Sequence, residues 1–108
     1  MSNKIKVVFQ RPGKLSEIRT IPNTLEAFQQ LVGGYIETLS LPNGFVIVIN
    51  EEGRLKGLRA NIICYAGVIV GNVVITKAEG EEFVSLTPEQ IQAARGWLLR
   101  HTYEEAEK

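Results

Sequence analysis

The densest run of side chains able to bind something or do chemistry is Ile49–Asn61, INEEGRLKGLRAN, which overlaps the end of the apolar run FVIVI. It places two acids, three bases, two glycines and two asparagines in thirteen residues. Arg54, Lys56 and Arg59 offer cations to a phosphate or a carboxylate, arginine being the better bidentate donor. Asn50 and Asn61 each carry a donor and an acceptor, which is what reading an amide or a base edge requires. Asn50 and Glu51 close a buried strand, and Gly53 and Gly57 permit a turn or the close approach of a ligand. A loop held at both ends by rigid strands is well placed for recognition. The plain alternative is a charged connection that keeps the sheet solvated, and composition alone favours it.

Other chemistry has less to build on. Glu51 with Glu52, and Glu81 with Glu82, are paired carboxylates, but acid–base catalysis needs one member desolvated and the other ionised. Neighbours on a turn are more often both hydrated. Cys64 is the single cysteine and His101 the single histidine. They are far apart in sequence, and a buried cysteine acting as a small hydrophobe is the commoner case. No phosphate-binding glycine loop, nucleophile elbow, or cysteine and histidine pair at metal spacing is present in the sequence. No cofactor is expected. Tyr35 follows Gly33-Gly34 and could present its ring to a flat ligand. Tyr65, in an apolar run, reads as core with its hydroxyl at the rim. Trp97 reads equally as a core anchor or a subunit contact.

The elements that must position these residues are readable from pattern. KIKVVFQ and LSEIRTI form two strands around the turn RPGK. PNTLEAFQQLVGG is a helix capped by Asn23 or Thr24, with Glu26 spaced as in a capping box. Leu25, Phe28, Leu31 and Val32 line its apolar face, and Gly33-Gly34 stop it. YIETLSL and FVIVIN are strands across the turn PNG, the second buried on both faces because it hardly alternates. IICYAG is a further strand, and VIVGNVVIT looks like one central strand with Gly71 at a bulge. A polar turn, KAEGEE, leads to a short strand, FVSL. Thr87, Pro88 and Gln90 then open a second helix with a Thr-x-x-Gln box, with Ile91, Ala94 and Leu98 on one face. The fold class is α+β: a mostly antiparallel sheet of about five to six strands with two covering helices.

The totals set the frame. A chain of 108 residues reads as one domain over 1–108, with 103–108 as a frayed tail. Such a length buries roughly two-thirds of its unfolded surface. Twelve basic and twelve acidic residues cancel, which argues against a dedicated duplex-DNA binder, since that needs a basic face. A lone cysteine fits a reducing cytoplasm. MSNKIKVVFQ carries no signal-peptide pattern, and no apolar run is long enough to span a bilayer.

IPNTLEAFQQLVGGYIE, INEEGRLKGLRAN, IVGNVVI and EEFVSLTPEQI together resemble the DUF3846 family of uncharacterised domains, over about Ile5 to Ile91. The most specific blocks are Leu31–Glu37 and Asn50–Asn61. The chain departs from the family pattern at Arg59, where proline is frequent. The resemblance implies a small intracellular protein typical of phages and bacterial mobile elements, with no assigned activity. By analogy with small phage proteins that sequester nucleotide immune signals, the expectation is a non-catalytic homo-oligomer in the bacterial cytoplasm. Its ligand would be anionic and nucleotide-like, held by Tyr35, Asn50, Glu51, Arg54, Lys56, Arg59 and Asn61. The alternative is an interaction module that inhibits a host defence protein through a sheet edge or the Trp97 helix.

Overall fold

The computed structural model describes residues 3–104. In chain order the elements are β1 (Lys4–Gln10), β2 (Glu17–Pro22), α1 (Leu25–Val32), β3 (Ile36–Ser40), a 3-10 turn (Pro42–Gly44), β4 (Phe45–Asn50), β5 (Ala60–Cys64), β6 (Gly67–Val70), β7 (Val73–Glu79), β8 (Glu82–Val84) and α2 (Pro88–His101). Six strands form one sheet in the order β2-β1-β7-β4-β3, with β8 also on β7, while β5 and β6 form a separate hairpin. Every pairing is antiparallel. The fold is therefore α+β, with a six-stranded sheet and two helices as the sequence predicts, plus a two-stranded hairpin.

The central strands read as continuous apolar runs because both faces of the sheet are covered. On one face Val7, Phe9, Val46, Val48 and Val74 pack with Phe28 and Val32 of α1. On the other, Val8, Ile47, Ile49, Val73 and Ile75 pack with Ile62 and Ile69 of the hairpin and Ile91, Ala94 and Leu98 of α2. Burying one such side chain stabilises by about 1.5–3 kcal/mol. Phe28 and Val32 thus anchor α1, whereas Leu25, at 54% exposure, adds little.

The helix ends follow their sequence signals. Thr24 is the N-cap of α1, its hydroxyl accepting from the Ala27 amide. Asn23, the other candidate, is drawn away, its amide donating to the Phe83 carbonyl at 2.9 Å. Gly33 ends α1 with φ +82, a left-handed conformation that glycine adopts without strain. Thr87 and Gln90 close the full capping box of α2.

Two expectations are corrected. VIVGNVVIT is not one strand: Gly71, at φ +81, turns the chain from the hairpin strand β6 into the central strand β7. A period-two reading cannot separate two buried strands joined by so short a turn. Tyr65 is not core: it lies in the β5–β6 turn, 71% exposed, with its hydroxyl on the Ser40 carbonyl at 2.9 Å. Within the tail expected to fray, 103–108, the Tyr103 amide donates to the Asn61 carbonyl at 2.9 Å. Residues 105–108 lie outside the described residues.

Candidate functional site

The segment between β4 and β5 is a series of bonded turns. The Lys56 amide donates to the Glu52 carbonyl, Gly57 to Arg54 and Leu58 to Gly53, at 3.0–3.1 Å. Gly57 takes φ +66, and a Cβ there would meet no other group within 4 Å, so backbone conformation explains glycine there. A Cβ on Gly53 would meet Val70 at 2.9 Å, so at Gly53 the reason is the close approach of the hairpin.

The seven candidate residues separate into three groups. Asn50 and Asn61 are buried, at 5% and 1% exposure, and their amides hold the fold. Asn50 Nδ2 donates to the Val32 carbonyl at 3.1 Å, and its Oδ1 accepts from the Glu52 amide at 2.8 Å. Asn61 Nδ2 donates to the carbonyls of Gln10 and Gly71, both at 2.8 Å. Its Oδ1 accepts from the Gln10 side chain at 3.0 Å. The amides expected to read a ligand's edges tie α1, β1 and the hairpin to the loop.

Glu51 and Arg54 fall on one side of the loop, in a hollow of about 120 Å³ shared with Glu37 and Leu55. The Arg54 guanidinium donates to the Val68 carbonyl at 2.8 Å, so it fastens the loop to β6.

Lys56 and Arg59 lie on the other side. Both line a groove of about 310 Å³ with Pro12, Gly33, Leu58 and Asn72. The Arg59 guanidinium lies across the β1–β2 turn, where a Cβ on Gly13 would come within 2.9 Å of it. The lining includes no Asp or Glu among the described residues. Lys56 also borders an adjacent hollow of about 200 Å³ with Tyr35, Gln29 and Gly34, and Tyr35 is 66% exposed. Glu52 lines the same hollow, 4.0 Å from Lys56 with both side chains nearly half exposed, a pair that contributes little.

The groove also receives the C-terminal end of α1, whose free carbonyls would repel an anion. They are occupied. Gln29 accepts from the Gly33 and Gly34 amides, Leu31 from the Asn72 side chain at 2.9 Å, and Val32 from Asn50. Asn72 and Pro12 were not singled out from the sequence. Asn72 was hidden inside the presumed single strand, and Pro12 was read only as punctuation.

Among the described residues no group of three or more His, Cys, Asp and Glu could hold a metal ion. Cys64 is half-buried. His101 stacks on Trp97 with centroids 4.0 Å apart, and its Nδ1 lies 2.7 Å from the Trp97 carbonyl, which makes Nδ1 the protonated nitrogen. No helix is long and apolar enough to cross a membrane among the described residues.

What fold and site define is a small α+β domain with a cation-lined groove at one end of its sheet. The chain matches the family described as a domain of unknown function, DUF3846, over residues 5–99, and it belongs to that family. No curated protein and no solved structure matches it.

Proposed function

We propose that this chain is a non-catalytic binding protein that sequesters an anionic, nucleotide-like small molecule. It would act as a homo-oligomer in the cytoplasm of a bacterial host, as a counter-defence protein. The observation that carries the ligand class is the position of Lys56 between a cationic groove and an aromatic hollow. A phosphate at Lys56 and Arg59 leaves the rest of the ligand to cross Gly34 toward Tyr35. An exposed ring there offers a stacking platform that tolerates any base. Capping of α1 carbonyls by Asn50 and Asn72 removes one source of repulsion; the Glu52 carboxylate stays beside the hollow, paired with Lys56. The counter-defence role rests on the analogy with small phage proteins alone.

Calorimetric titration with a panel of nucleoside mono- and polyphosphates tests the site. Arg59→Ala is expected to abolish binding and leave the melting temperature nearly unchanged, because Arg59 is exposed. If Arg59→Ala binds as well as the parent, the site is misplaced.

A second reading, a module that binds and inhibits a host protein, is favoured by one feature. An apolar hollow of about 200 Å³ lies beside Trp97, lined also by Leu41, Phe45, Ala94 and Arg100. Co-purification of a stoichiometric host protein, lost in Trp97→Ala and retained in Arg59→Ala, would favour it over ligand sequestration.

A further inference from the structure

A sheet edge exposes a row of unpaired amides and carbonyls, and folded proteins generally block such rows. Three of the edges here carry a side chain or a chain end on at least one such group. The end of β3 is reached by Tyr65, whose hydroxyl donates to the Ser40 carbonyl. The outer side of β5 is taken by the end of α2, through the Ile62–Thr102 bridge and the Tyr103 amide on Asn61. On β6, Arg54 occupies the Val68 carbonyl. The edge strand β2 pairs inward with β1 from Pro22 to Glu17, and no strand among the described residues pairs with its outer side.

The side chains of β2 bear on what could pair there. Ile18 is 47% exposed, large for an apolar residue facing no partner. Glu17 and Arg19 share the opposite face and carry opposite charges. Arg19 lies over the Phe9 ring at 4.8 Å and bonds Glu17 at 2.9 Å, while Arg11 bonds the other Glu17 oxygen at 2.9 Å. Arg19 first, and Arg11 second, hold the Glu17 carboxyl below the usual carboxylate range. A charge on an edge repels a second copy only where it meets its own sign. Residues directly opposite share a face of the sheet, so a two-fold axis perpendicular to the sheet must pass through a residue pair. Centred on Glu17 or on Arg19, that axis sets like charges opposite each other, which is destabilising. Centred on Ile18, it sets Glu17 against Arg19 twice and Ile18 against Ile18.

We infer that the outer edge of β2 pairs antiparallel with β2 of a second copy of this chain, in the register centred on Ile18. The two sheets then run on as one, with both α1 helices on one face and both α2 helices on the other. The four side chains of Glu17 and Arg19 form an alternating square. The pairing, which rests on the homo-oligomer part of the proposed function and not on its ligand, is tested with no ligand present.

Sedimentation velocity over a concentration series reads it. The parent is expected to dimerise. Glu17→Arg and Arg19→Glu, each alone, are expected to weaken the dimer about tenfold in Kd or more, since two attractive pairs become repulsive. The double variant Glu17→Arg with Arg19→Glu restores opposite signs and the parental dimer. Each reversal also breaks the Glu17–Arg19 pair within its own chain, and the double variant remakes it. An equimolar mixture of the two single variants is therefore the control. Every chain keeps its internal like charges, yet opposite charges meet across the edge, and the mixture is expected to dimerise where neither variant alone does. A parent that stays monomeric up to its solubility limit overturns the proposal. So do single reversals that dimerise like the parent, and a folded double variant that does not dimerise.

Discussion

Arg59 and Asn61 stand two residues apart at the end of the same loop and differ in what their polar atoms are free to do. The Arg59 side chain is exposed and lines the groove across the β1–β2 turn. The Asn61 amide is 1% exposed and makes three hydrogen bonds within the protein. Lys56 and Asn50 repeat the contrast: both line the groove, but Lys56 is exposed, while Asn50 is 5% exposed and engaged with Val32 and Glu52. Polarity in a loop therefore does not measure availability. The amides hold the backbone that carries the cations, and the cations are what solvent and solutes meet.

The comparison can be broken most forcefully at Asn61. Asn61→Ala leaves the Gln10 and Gly71 carbonyls and the Gln10 side-chain amide without their partner at a buried position. The expected loss of stability is about 2–4 kcal/mol, read by chemical denaturation. Asn50→Ala exposes fewer orphans and is expected to cost about 1–3 kcal/mol. A loss at either site no larger than that of an exposed residue would remove the distinction between anchors and rim.

Thr76 sharpens the contrast from the opposite direction. It is fully buried on β7, and its hydroxyl has no hydrogen-bond partner among the described residues. Thr76→Val keeps the shape and removes the unpaired group, so it is expected to stabilise by about 1 kcal/mol. Destabilisation in the same assay would mean that the hydroxyl does have a partner and that buried polarity here is uniformly satisfied.

Much of the fold was legible in the sequence because the signals were local. Thr87-Pro88 with Gln90, Gly33 after Val32, and the unalternating FVIVIN each act through their own neighbours. What was not legible depends on distant contacts. Nothing near Asn61 in sequence announces Gln10 as its partner, fifty-one residues away. Nothing near Gly71 shows whether the strand continues or turns. The candidate site was half legible for the same reason. The loop composition located Lys56 and Arg59, but only the packing of the hairpin decides that Arg54 turns to Val68 and that Asn72 comes to the groove.

The central claim is that Lys56 and Arg59, the exposed cations that line the groove, form the binding surface with Tyr35 beside them. Amide chemical-shift mapping during titration with a nucleoside monophosphate tests it most directly. The account predicts saturable shifts at Gly33, Gly34, Tyr35 and Lys56–Arg59, smaller at raised salt and absent in Arg59→Ala. Shifts confined to α2 around Trp97, or none with any nucleotide of the panel, would contradict it.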